Sequence, residues 1–210
     1  MTKIHHFYHV YADGDWHFKL SDHIRALKTY GLYENLESFN IGCVGSDENF
    51  NNVVKFLQEN DIKCTIVAHS YVGWEQVTLN HLWLKAKTHQ NDIFLYCHTK
   101  GAANISELNE TWRKGMTRKL VVEWENCVAL LTQGYSTLGC HYFLYNPDNP
   151  NPFWGGNFWW ATSEHINLLN SCGNRARHEA ESWIGTIHMN PAYKPFNVWK
   201  ADIHTPTECY

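Results

Sequence analysis

Between Asp92 and Gly101 the chain reads DIFLYCHTKG, and its run Ile93 to Cys97 is apolar or aromatic at every position. A strand with one wet face alternates, whereas an unbroken run belongs to a strand covered on both faces, as in a parallel sheet flanked by helices. The run stops at His98, and His98, Thr99, Lys100 and Gly101 follow as a polar turn. Ligands of open α/β sheets bind beyond the carboxyl ends of the strands, so this turn stands where a site belongs. Lys100 suits it to an anion, and Gly101 permits close approach of backbone to a ligand. The same residues also suit a plain strand cap.

The segments before this run repeat one rhythm. Ile4 to Tyr11 is rich in aromatic and β-branched residues and reads as a first strand, broken by Asp13-Gly14-Asp15. Ser21 or Asp22 is the expected cap of a helix carrying Leu20, Ile24 and Leu27, with Gly31 as its stop. A strand near Phe39 to Val44 leads to Ser46, which caps a helix with Phe50, Val53, Val54 and Leu57 on one face and Asn60 at its end. A strand over Ile62 to Ala68 and a helix from about Trp74 to Thr88 complete a βαβαβαβ order, which predicts a parallel sheet with helices on both faces.

The rest of the chain changes character. A helical pattern runs from Ser106 to Gln133 and is expected to bend near Gly115. A short strand around Ser136 to Cys140, an irregular proline-rich loop from Tyr145 to Pro152 and a strand over Gly155 to Ala161 follow. Thr162 or Ser163 caps a further helix, and Arg177 to Ile187 also reads as helix. The tail from Pro191 to Tyr210 carries little regular signal.

The chain's 210 residues, 44% hydrophobic and 18% charged, fit one globular domain. A formal net charge of -4 offers no broad attraction for nucleic acid or an anionic membrane. No apolar stretch approaches the roughly 18 to 20 residues that span a bilayer, and the start of the chain does not read as a leader, so a cytosolic protein is expected. The 7 cysteines include no CxxC pair, which fits a reduced compartment. His5, His6, His9, His17 and His23 crowd the N-terminus, but strand spacing and the lack of a nearby Cys or acidic partner argue against a metal site there. GxSxG, GxxxxGK[ST] and GxGxxG are absent, which disfavours serine hydrolases, P-loop enzymes and dinucleotide enzymes.

Beyond the HTKG turn, three places carry candidate chemistry. Asp13 and Asp15 lie at the same sheet edge as His98, able to bind a divalent metal or a nucleoside, although DG is also a common turn. In Gly155-Gly156-Asn157-Phe158-Trp159-Trp160-Ala161 the adjacent tryptophans must point to opposite faces, one to the core and the other expected to cover a sugar ring or base. Glu179 and Glu181 open a helix, where carboxylates are favoured structurally; Glu181, beside Trp183, is the candidate general base.

In order, HTKG (98 to 101), a helix with Trp112, Arg113 and Met116, GGNFWWA (155 to 161) and the acidic WIG segment (Glu181 to Gly185) resemble glycosyltransferases of the GT-A type. The likeness is to those of large DNA viruses such as chloroviruses and of bacterial surface-glycan clusters, and it covers most of residues 70 to 190. It implies a single-domain α/β fold, a mixed, mostly parallel sheet flanked by helices. About residues 1 to 101 would bind the nucleotide sugar and about 102 to 210 the acceptor. The implied reaction is hexosyl or deoxyhexosyl transfer from a nucleoside diphosphate sugar, a UDP-sugar foremost, to a glycan or glycoprotein, in the cytoplasm of a bacterium or virus-infected cell.

On that resemblance Tyr11, Asp13, Asp15, His98, Thr99, Lys100 and Gly101 bind the donor. Gly156, Asn157, Trp159, Trp160 and Arg113 bind donor and acceptor sugars, and Glu181 and Lys100 are catalytic. Many such enzymes end this strand in a DxD that holds Mn2+ or Mg2+. Here HTK replaces it, so either His98 ligates a metal or Lys100 neutralises phosphate directly. Outside transferases, the same features suit a noncatalytic carbohydrate-binding domain or a nucleotide-binding regulatory domain.

Overall fold

The computed structural model describes residues 2–144, 151–173 and 176–199. Most of the loop from Tyr145 to Pro152, and the tail beyond Trp199 with Cys209, lie outside them.

The expected alternation is present: β1 (Ile4–Tyr11), α1 (Trp16–Thr29), β2 (Leu36–Val44), α2 (Asp47–Glu59), β3 (Thr65–Ser70), α3 (Gln76–Thr88) and β4 (Ile93–His98). β1 pairs in parallel with β2 and with β4, and β2 with β3. The chain continues through α4 (Glu107–Thr117), a π turn (Arg118–Val122), α5 (Trp124–Thr132), β5 (Thr137–Cys140), β6 (Tyr142–Phe143), β7 (Phe153–Trp154), β8 (Trp159–Thr162), α6 (Ser163–Leu168), α7 (Arg177–Ser182) and β9 (Pro195–Trp199). The main sheet runs β3-β2-β1-β4-β8-β5-β9, with β8 antiparallel to both neighbours and β9 parallel to β5; β6 and β7 form a separate ribbon. The result is one mixed, mostly parallel sheet between two helical layers.

Each face of the sheet has its own core. Tyr8, Leu95, Cys97 and Trp160 face the layer of α1, α2, α4 and α5. Phe7, Phe94, Tyr96 and Trp159 face α3, α6 and α7. Strict alternation in direction with apolar partners on both sides is why Ile93 to Cys97 shows no alternation in polarity.

Some boundaries move for identifiable reasons. α1 starts at Trp16, so Ser21 and Asp22 lie inside the helix; Asp22 instead accepts a 2.8 Å hydrogen bond from Arg113. Ser46 does cap α2, its hydroxyl accepting from Asn49 N. The long second-half helix breaks at the π turn rather than at Gly115. There the Trp160 indole donates to the Leu120 carbonyl at 2.8 Å. Gly115 is small for another reason, since a Cβ there would lie 2.2 Å from the Trp199 ring. The Gly155 to Ala161 strand shortens to β8, because Gly156 (φ 81) and Asn157 (φ 54) form a left-handed turn before it. β9 arises in the tail where no regular element was expected, and Cys64 falls just before β3.

One correction concerns the N-terminal histidines. His6, His23 and Cys97 do converge in the core, with possible ligand atoms within 4.8 Å of one another. His6 Nδ1 donates to Leu95 O at 3.1 Å, and His6 Nε2 shares a hydrogen bond with His23 Nε2 at 2.7 Å. That N···N spacing is too short for two nitrogens about 2.0 Å from a tetrahedral zinc, so these rings form a hydrogen-bonded core pair.

Candidate active site

The carboxyl ends of β1 and β4, with the loop before α3 and the start of α7, enclose a cleft of about 510 Å³. Its walls include Tyr11, Trp74, Glu75, His98, Lys100 and Arg177. His9 and His98, cross-strand partners on β1 and β4, lie at its base. His9 Nδ1 bonds Thr78 Oγ1 at 2.8 Å, and His98 Nε2 donates to Gly156 O at 2.9 Å. Thr99 ties the strand ends together, its hydroxyl accepting from Tyr11 N and its amide donating to His9 O. Gly101 has φ 80, a left-handed conformation that a side chain would strain.

Burial keeps both imidazoles neutral: it lowers His9 to about 4, and burial followed by the Lys100 charge lowers His98 to about 3. Burial also lowers the Lys100 pKa; Glu181 opposes that shift and Arg177 adds to it. The Lys100 ammonium stands over the Trp112 ring at 4.5 Å from its centroid. Trp74 is 47% exposed and lines the cleft.

Tyr11, His98, Thr99, Lys100 and Gly101 thus gather as expected, and the other candidates do not. Asp13 Oδ1 accepts from Ser46 N at 2.9 Å and Asn49 Nδ2 at 2.8 Å, so this carboxylate serves the start of α2. Asp15 pairs with Lys19 at 2.9 Å. Neither lines the cleft. Trp159 and Trp160 are both fully buried, one in each core, so neither offers a face to sugar. Asn157 is buried too, its side-chain oxygen accepting from the Trp159 indole at 2.9 Å. Arg113 is enclosed by Asp22 and Glu110 and is structural. Gly156 contributes only its carbonyl, which orients His98. Glu181 does not line the cleft but pairs at 3.3 Å with Arg177, which does.

His9, Trp74, Glu75 and Arg177 were not anticipated. Trp74 and Glu75 read as the start of a helix and Arg177 as a helical surface position, with no local signal of a cleft. The donor set does not suit Mn2+ or Mg2+, which take several oxygen ligands. Glu75 is the only carboxylate among the cleft-lining residues, and two cations, Lys100 and Arg177, share the space.

The architecture is a Rossmann-like α/β fold shared with distant solved structures. It is similar to a protein of Desulfovibrio desulfuricans G20 described as a nucleotide-diphospho-sugar transferase, with 12% identity, TM-score 0.50 and coverage of 95% of this chain and 81% of the other. It is also similar to the 4-diphosphocytidyl-2C-methyl-D-erythritol synthase of Anaerococcus prevotii DSM 20548, with 8% identity, TM-score 0.51 and coverage of 96% and 90%. No curated protein matches in sequence. Residues 7–182 match the domain of unknown function DUF8361, and the chain belongs to that family. Among the described residues no helix is long and apolar enough to cross a membrane.

Proposed function

We propose that the chain is a glycosyltransferase that moves a sugar from a nucleoside diphosphate sugar to a glycan acceptor, with the donor in the Lys100 cleft. The observation that carries this reading is the pairing of two cations, Lys100 and Arg177, with two aromatic walls, Tyr11 and Trp74, at the carboxyl edge of parallel strands. The indole, rather than either buried tryptophan of β8, supplies a stacking surface for base or sugar. The preference for a UDP-sugar is carried by the GT-A resemblance alone.

In this reading the acceptor hydroxyl oxygen bonds to the anomeric carbon as the bond from that carbon to the diphosphate oxygen breaks. The acceptor proton passes to a base, and negative charge collects on the departing diphosphate. Lys100 meets that charge as a compact ammonium and Arg177 as a planar fork, in place of a divalent ion. Glu181 holds Arg177, so Glu181→Gln is expected to weaken donor binding through Arg177; a loss of turnover with donor affinity unchanged instead marks Glu181 as the base that takes the acceptor proton.

The reading is tested by thermal shift with UDP, CMP and GDP, each with EDTA or Mn2+, followed by assay of UDP-sugar hydrolysis. Ligand at 100 times its Kd adds about 2.7 kcal/mol of stability. A larger shift with UDP that survives EDTA, together with slow hydrolysis, supports the proposal. Nucleotide binding without turnover favours a regulatory domain, and binding of free sugar alone favours a carbohydrate-binding module.

A further inference from the structure

Glu75 and His98 leave an unmet demand at the base of the cleft. A carbonyl only accepts, so the 2.9 Å contact with Gly156 O puts the His98 ring proton on Nε2. The ring is neutral, and Nδ1 therefore presents a bare lone pair. That lone pair faces Glu75 Oε1 at 3.7 Å, one acceptor opposite another and beyond hydrogen-bond length. Glu75 is only 5% exposed, and its Oε2 is buried with no partner among the described residues. A carboxylate with one oxygen buried and unpartnered is costly to hold, and its other oxygen faces the bare His98 nitrogen, so the pair calls for a ligand that brings donors to Oε1 and Nδ1.

We propose that Glu75 and His98 form a hydroxyl-reading subsite that takes a vicinal diol of the bound nucleotide sugar. One hydroxyl donates to His98 Nδ1 and its neighbour to the Glu75 carboxylate. This subsite rests on the nucleotide-sugar reading and deepens it. Phosphate has no proton to offer two acceptors at neutral pH and is drawn instead to Lys100 and Arg177, so the cleft separates the ligand's anionic part from its polyol part. The diol belongs either to the ribose or to the transferred sugar.

The test is calorimetric titration of the parent chain and Glu75→Gln, with melting temperatures recorded in parallel. UDP-glucose and GDP-mannose are the probes, alongside UDP, GDP and their 2′,3′-dideoxy forms. The expected result is a loss of about tenfold or more in affinity for the nucleotide sugar in the variant, because a buried acceptor exchanged for a half-donor amide mispairs the diol. If UDP or GDP suffers the same loss, and the parent loses as much with the dideoxy form, the diol is the ribose; a loss confined to the nucleotide sugar assigns it to the sugar. The dideoxy comparison needs no variant and stands if Glu75→Gln fails to fold. Equal affinities in parent and variant overturn the subsite while the nucleotide-sugar reading survives. A Gln variant that melts higher and binds equally well also overturns it, showing that a shared proton fills the gap. If the parent binds none of the probes, the nucleotide-sugar reading falls, and the subsite with it.

Discussion

The Lys100 ammonium lies 4.5 Å from the centroid of the Trp112 ring, so an aromatic of α4 backs a cation that lines the cleft just beyond β4. A cation over an exposed or partly desolvated ring gains about 0.5–2 kcal/mol, which fixes the ammonium in place without neutralising it. Lys100→Met keeps the stem and removes the charge. Turnover is expected to fall by roughly 100-fold, as for loss of one preorganised electrostatic donor, while the melting temperature changes little. Lys100→Arg is expected to recover part of the rate. A Met variant with parental turnover returns the HTKG turn to a structural role.

Trp159→Ala and Trp160→Ala are each expected to cost on the order of 3 to 5 kcal/mol, because both indoles are fully buried and each fills a separate core. The measurement is the urea midpoint of each variant. A variant that keeps its stability and loses only activity contradicts a core role for that residue.

Arg113→Met removes a buried cation that pairs with both Asp22 and Glu110. The expected loss is about 3 kcal/mol or more of stability, with nucleotide affinity retained in the folded fraction. Denaturant unfolding and titration of the folded variant separate the two effects. Selective loss of acceptor use with parental stability restores the acceptor role.

Acid should destabilise the fold well above the range of carboxylate titration. Burial holds His6, His9 and His165 at about 4 and His98 at about 3, against an ordinary imidazole value of 6.5. Their folded pKa values are depressed, so the neutral-imidazole contribution is complete above about pH 6.5 and is lost as pH falls from there toward 4. Each adds a slope approaching 1.4 kcal/mol per pH unit across that window. The urea midpoint is therefore expected to drop steeply between pH 6.5 and 4.5; a flat profile contradicts neutral buried rings.

Much of the first half was legible because its information is local. Ile4–Tyr11 and Ser46 as a cap read directly from residue type and spacing, and the apolar run before His98 marked both a central strand and the edge where a cleft opens. The acidic turn at Asp13 stayed open to two readings for an equally local reason: a carboxylate beside a helix start satisfies free backbone amides as readily as it binds a ligand, and nothing in DGD distinguishes the two.

The order of strands and helices was set by the chain's own alternation of apolar periods. The tertiary structure decided which side chains face the cleft. Trp74 with Glu75, Lys100, and Arg177 come from three separate segments and meet only because the sheet order places β1 beside β4 and brings α7 to their carboxyl ends. With both faces of the sheet covered, the paired tryptophans of β8 alternate between two dry cores instead of between core and cleft. Alternation fixes opposite directions, but what lies in each direction depends on the helices packed there, and that is a property of the whole fold.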